Sequence, residues 1–187
     1  MQNLSSIKDM SLCALFTALI AAGAFIQITI PIQPFPMHFT MQWFFVLLAS
    51  FLLGPRLASF SVLIYLAIGL VGVPVFASGG GLSYLIRPTF GFLLGFLFAA
   101  ATTGFLSQKL CASTIRQYLF CSTAGLIVMY LCGMIYFYVI SNYVILMPVS
   151  WKLVLINCCL LTIGADFILC ILASLLAQRL RPILKYL

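Results

Sequence analysis

Two ionisable side chains stand where the surrounding sequence is almost wholly apolar. Asp166 is the only acid inside an apolar stretch, and Arg87 opens another such stretch beside Pro88. An ionisable group in an oily setting is costly to keep, so it marks a functional site by default. A carboxylate such as Asp166, facing a cavity, accepts hydrogen bonds or pairs with a cation. The plainer alternative is a cap on the helix that starts after Gly164-Ala165. The guanidinium of Arg87 is a planar fork that holds a carboxylate through two parallel bonds. Its plainer alternative is an arginine snorkelling to an interface.

The residues leading up to Arg87 strengthen the binding reading. Gly72-Val-Pro-Val-Phe-Ala-Ser-Gly-Gly-Gly-Leu-Ser-Tyr-Leu-Ile-Arg87 is longer than a turn requires. Its glycines, Gly79 and Gly80 among them, let backbone approach a ligand and offer free N–H groups. Phe76 and Tyr84 add flat apolar faces. Earlier in the chain, Thr40-Met-Gln42-Trp43 sets an amide beside an indole. The Gln42 amide both donates to and accepts from a urea-like group. Trp43 is either a cavity wall or a member of an interfacial aromatic belt. Ala14, Ala18 and Ala22 recur every four residues and form a smooth strip against which another helix can pack closely. Spacing alone leaves open whether that helix belongs to this chain or to a partner.

Other chemistry finds little support. No phosphate-cradling Gly-x-x-x-x-Gly-Lys-Ser/Thr loop is present, so ATP hydrolysis by that route is not expected. His38 is the single histidine, in a Pro-rich loop, which removes His-x-x-x-His metal sites and disfavours a Ser-His protease. The seven cysteines lie mostly in apolar runs without Cys-x-x-Cys spacing, and read as small buried hydrophobes. Cys13 lacks the small residues that precede a lipidated cysteine. No enzymatic activity, metal or cofactor is expected.

The elements that must position these side chains are membrane-spanning helices. Of 187 residues, 65% are hydrophobic and 6% charged, and the mean hydropathy is +1.26. Soluble domains carry roughly 25% charged residues, so this chain cannot cover its own surface in water. A soluble enzyme, a disordered tail and a nucleic-acid-binding domain are excluded, and the partner at its surface is the lipid bilayer. A span needs about 20 apolar residues and the ten-residue alternation of a barrel is missing, so the spans are helical.

Six spans are expected: about Met10–Ile30, Met41–Leu53, Arg56 to Gly69–Pro74, Pro88–Leu106, Tyr118–Ile140, and a last one after Gly164. Leu153 to Gly164 reads as a shallow or re-entrant segment before that last helix. The first stretch is longer than a cleaved leader's apolar core and reads as a retained helix. Six crossings place Lys8, Arg56, Lys109, Arg116, Arg179, Arg181 and Lys185 on one side, and only Arg87 and Lys152 on the other. That asymmetry puts both termini in the cytoplasm. Residues 1–187 are thus expected to form one all-α, six-helix transmembrane substrate-binding domain in the cell membrane, with no separate second domain.

The pattern Pro36-x-x-x-Thr40-x-Gln42, then Gly-Val-Pro-Val-Phe-Ala-Ser-Gly-Gly-Gly, then Arg87-Pro-Thr-Phe-Gly91-Phe-Leu-Leu-Gly95-Phe96, resembles the BioY family of biotin transporters. These are the substrate-binding S components of energy-coupling factor (ECF) transporters. The likeness runs over nearly the whole chain, and its most specific part is the Gly-rich loop followed by Arg-Pro-Thr-x-Gly. It implies biotin as transported substrate, held near the outer face and closed over by the loops after spans one, three and five. It also implies a transmembrane coupling subunit and two ATPases as partners, with Ala14 and Ala18 on the face that meets the coupling subunit.

Carried over by position, Arg87 and Asp166 belong to the polar binding set, with Gln42 and Tyr84 as further cavity residues. The family's lysine about one turn after the acid is missing from Phe167–Cys170. Arg87 is then the expected partner of Asp166 and the principal holder of the biotin carboxylate. An S component for another vitamin is the alternative, and a ligand-free membrane scaffold a more distant one.

Overall fold

The computed structural model describes residues 7–30, 37–160 and 162–184. Seven α-helices follow one another: α1 (Ile7–Phe25), α2 (Gln42–Leu53), α3 (Pro55–Val71), α4 (Phe90–Lys109), α5 (Ile115–Val139), α6 (Trp151–Leu155) and α7 (Ile163–Leu184). Two strands, β1 (Gln27–Ile30) and β2 (Met37–Thr40), pair antiparallel between α1 and α2, with Gln27 opposite Thr40 and Thr29 opposite His38. A 3₁₀ turn, Leu82–Ile86, precedes α4, and π turns at Ile140–Val144 and Ile156–Leu160 extend α5 and α6.

Among the described residues, four stretches are long and apolar enough to cross a bilayer: Ile7–Phe25, Phe90–Lys109, Ile115–Val144 and Ile163–Arg181. The expected second and third spans are the shorter apolar helices α2 and α3. Their shared corner is Gly54-Pro55. Gly54 takes a left-handed φ of 82°, and Pro55 starts α3 at the position where its missing N–H costs nothing. The first span was expected to run to Ile30. It stops at Phe25, because the residues from Gln27 pair with β2 instead. The segment expected to be shallow or re-entrant is the short α6 with its π turn. The Pro-rich stretch 31–36 lies outside the described residues.

Close helix packing is set by glycine. Gly95 on α4 lies against the Met129 backbone of α5, Gly91 against Tyr136, and Gly133 of α5 against the Phe92 ring. Without side chains at these points the two backbones approach closely, the usual way apolar helices associate where water drives nothing. The core they share with α2, α3 and α7 contains Trp43, Tyr65, Phe76, Phe90 and Tyr118, all buried. Outward-facing side chains such as Leu15, Phe98, Phe120, Ile127, Leu131 and Ile135 stay exposed. That is the composition of a surface meant for lipid.

Candidate functional site

Above the α2–α4–α5–α7 core lies a cavity of about 80 Å³. Its walls are mostly apolar, with Trp43, Phe92, Leu93, Phe96 and Met129 on the helices. Its polar groups are His38, Thr40, Gln42, Tyr84, Thr89, Tyr130, Thr162 and Asp166. An apolar hollow with a few placed donors and acceptors is the common form of a small-molecule site.

Asp166 supplies one pole. It sits in the first turn of α7, where the helix dipole favours a carboxylate, and only 7% of it is exposed. Its side chain does not cap its own helix. The Tyr130 hydroxyl, from α5, donates to Asp166 Oδ2, and the same hydroxyl lies 2.8 Å from Thr162 Oγ1. Thr162 in turn donates to the Cys158 carbonyl at 3.0 Å, tying the π turn before α7 into the group.

Gln42 supplies a second pole at the start of α2. Its amide nitrogen donates to the Tyr65 hydroxyl at 2.6 Å, and its oxygen accepts from Thr40 at 3.2 Å. Tyr65 donates onward to the Val75 carbonyl of the Gly-rich loop. The amide plane is thereby fixed from both ends. Trp43 is buried rather than interfacial, which removes the belt alternative. Its ring stacks on Phe96 with centroids 6.0 Å apart, and its indole N–H donates to Cys170 Sγ at 3.3 Å.

The Gly-rich loop closes the top. Phe76 exchanges backbone bonds with Gly79 in both directions, and the Gly81 N–H donates to the Gly69 carbonyl at 2.7 Å. The N–H groups of Gly79 and Gly81 are thus spent, one within the loop and one on α3, and do not stand free for a ligand as expected. Gly79 and Gly81 have φ of 113° and 99°, a region glycine adopts without strain. The Phe76 ring seats on Gly69 and contacts the rings of Tyr65, Tyr84 and Phe90. It therefore anchors the loop behind the cavity. Of the residues singled out in the sequence, Gln42, Trp43, Tyr84 and Asp166 line the cavity together, and Phe76, Gly79, Gly80 and Arg87 stand outside its lining.

Arg87 is exposed beside the mouth, its guanidinium 5.0 Å from the centre of the Tyr84 ring. The expected pair with Asp166 does not form, because Asp166 turns to Tyr130 in the bundle interior and Arg87 stays in the loop above. Burial raises the Tyr84 phenol above its ordinary 10.0, with Arg87 and hydrogen bonding to Ser78 opposing that shift.

His38 plays a part that the sequence concealed. Its Nδ1 lies 3.0 Å from Thr29 Oγ1 across the hairpin, and its Nε2 lies 2.9 Å from Ser78 Oγ in the Gly-rich loop. A serine does therefore stand beside the histidine, against expectation, but the far ring nitrogen meets a threonine instead of a carboxylate. Gln27 adds a second tie, donating to the Ala77 carbonyl at 3.0 Å. The hairpin and the loop are clasped together over the cavity.

Burial first, and the positive charge of Arg87 second, hold the His38 imidazole below its ordinary 6.5. An open hairpin, with His38 at its ordinary value, binds a proton more readily than the closed one. Closure is thus fully favoured above pH 6.5 and weakens as pH falls from there through the lowered value. Amide exchange in β1 and β2, corrected for intrinsic rates, should be faster at about pH 5.5 than at about pH 7.5. His38→Asn should remove that difference.

Tyr130 and Thr162 were missed in the sequence, although both left signals. A tyrosine in mid-span needs a hydroxyl partner. Thr162 stands four residues before Asp166, a spacing that puts both on one face of the chain's helical turn. The strip Ala14, Ala18, Ala22 is exposed, and Ala14 and Ala18 line an apolar groove between α1 and α3.

A model of the BioY family matches residues 1–186. The probable biotin transporter BioY of Lysinibacillus sphaericus is 41% identical over 180 residues, covering 96% of this chain and 90% of that protein. The biotin transporter BioY of Thermotoga maritima is 37% identical over 139 residues, 74% of this chain and 77% of that one. A crystal structure of the S-component for biotin from an ECF-type ABC transporter has the same fold, with a TM-score of 0.82 at 28% identity. The match covers 97% of this chain and 95% of that one. Sequence and fold agree along nearly the whole length: this chain belongs to the BioY family.

Proposed function

We propose that the chain is the biotin-binding S component of an ECF-type transporter, capturing biotin in the cavity beneath the clasped loops and passing it inward without chemical change. The observation that carries this reading is the lining itself, two polar poles set into aromatic walls. Biotin has a ureido group that wants several hydrogen bonds, an apolar bicyclic thioether and a carboxylate. In this reading the ureido N–H groups donate to Asp166, and the Gln42 amide meets the ureido carbonyl. Trp43, Phe96 and Tyr84 cover the bicycle. The carboxylate points to the mouth, where Arg87 supplies a cation.

Residues 1–187 act as one domain in the cytoplasmic membrane. The shorter helices α2 and α3 complete six crossings with both termini inside. Ala14, Ala18 and Ala22 present a smooth outer face to the coupling subunit, and two ATPases supply the energy. Because the cavity is compact, the hairpin and the Gly-rich loop part to admit the ligand.

Calorimetric titration of the purified protein with biotin tests the reading. Saturation at or below about micromolar biotin is expected, with no competition from thiamine or riboflavin. No saturable binding would end it, and displacement by another vitamin would make that vitamin the substrate. Arg87→Ala should weaken biotin by about tenfold, the contribution of a charged hydrogen bond. It should leave uncharged biotinamide nearly unaffected. Equal losses for both ligands would place Arg87 away from the carboxylate.

A further inference from the structure

At the end of the bundle remote from the clasped loops, the last turns of α4 and α7 and the first turn of α5 enclose a second cleft, of about 360 Å³. It is lined by Gln108, Cys111, Ser113, Tyr118, Gln178 and Arg181. The half-buried Arg181 reaches from α7 to the α4–α5 turn. One nitrogen, Nη1, donates to the Ala112 carbonyl at 2.9 Å, to Tyr118 Oη at 3.2 Å and to Ser107 Oγ at 3.4 Å. These bonds hold the turn against α7 and leave the rest of the fork, Nη2 and Nε, to the cleft.

We propose that this cleft binds a phosphate group, either the head group of an anionic phospholipid or a free phosphate ester. The donors converge on a cleft that the carboxyl-terminal ends of α4 and α7 also border. The Tyr118 oxygen accepts from Arg181, so its own proton is available to a ligand. The Ser113 hydroxyl and the amide of Gln178 add further donors. No acid lines the cleft among the described residues, and the acid of the bundle interior, Asp166, belongs to the other cavity. Lys109, Arg116 and Arg179 stand exposed around it, and α5 begins beside it with its positive dipole end. A fixed guanidinium fork among neutral donors complements an oxyanion with several acceptor oxygens. Basic pockets between spanning helices, at the depth of the head groups, take lipid phosphates in this way.

Cys111, exposed and lining the same cleft, serves as a reporter, because an occupant slows its alkylation by maleimide. The rate at Cys111 is read by peptide mass spectrometry on the full chain. It is measured in nanodiscs of phosphatidylcholine with and without phosphatidylglycerol, and in detergent with and without inorganic phosphate. Phosphatidylglycerol should slow the reaction by about fivefold, the factor expected of one basic side chain at an anionic head-group layer.

Arg181→Gln should restore the phosphatidylcholine rate, and Arg179→Gln should not. Tyr118→Phe keeps the ring packed against Phe51 and should lose part of the protection, which guards against a loosened turn in Arg181→Gln. Slowing by phosphatidylglycerol alone assigns a lipid head group, and slowing by inorganic phosphate as well assigns phosphate in general. No slowing by either probe, or equal relief by the Arg179 and Arg181 variants, would overturn the site. None of these outcomes depends on biotin.

Discussion

Asp166→Ala is expected to weaken biotin binding by roughly 30- to 150-fold, about 2 to 3 kcal/mol for a charge-assisted hydrogen bond lost from a buried site. The carboxylate is 7% exposed and already accepts from the Tyr130 hydroxyl. Truncation removes the acceptor for the ligand and leaves a buried phenol facing an empty space. Asp166→Asn keeps the shape and one carbonyl oxygen, and should cost only about tenfold. Tyr130→Phe should fall between wild type and Asp166→Ala, since the carboxylate remains but loses the bond that orients it. Calorimetric titration of each variant checks the order, and unchanged affinity in Asp166→Ala would remove Asp166 from the ligand.

Trp43→Ala is expected to damage both stability and binding. The side chain is 1% exposed, stacked on Phe96 and bonded to Cys170. Replacing a buried tryptophan by alanine costs about 3 to 5 kcal/mol, through lost contacts and the hole left behind. An apparent melting temperature lower by roughly 10 °C should follow, read by light scattering in detergent. Trp43→Phe retains most of the wall and forgoes a bond to sulfur, a weak acceptor, so its midpoint should stay within a few degrees of wild type. A wild-type midpoint for Trp43→Ala would show that the site collapses around the loss.

The helical character and the unusual setting of Asp166 were legible in the sequence because both rest on local contrast. Apolar runs of spanning length leave only helices as a solution, and a lone acid stands out inside one. The partner of Asp166 was not legible. Nothing local says that α5 rather than the Arg87 loop faces α7, and it is the packed bundle that brings Tyr130 there. The hairpin was hidden for a different reason. Ile28 and Ile30 alternate with polar residues at the end of a long apolar run, and that run masks the change of period. Phe76 carries the same lesson. An aromatic in a glycine-rich loop reads as a ligand contact, and what decides otherwise is the bare surface of Gly69, which only the folded α3 presents to it.

The most direct measurement is a structure of this protein determined with biotin bound. The ligand is expected between Trp43 and Tyr84, its ureido nitrogens within about 3 Å of the Asp166 carboxylate and its tail toward Arg87. Biotin held elsewhere, for instance along the exposed alanine strip of α1, with Asp166 still turned only to Tyr130, would contradict the site.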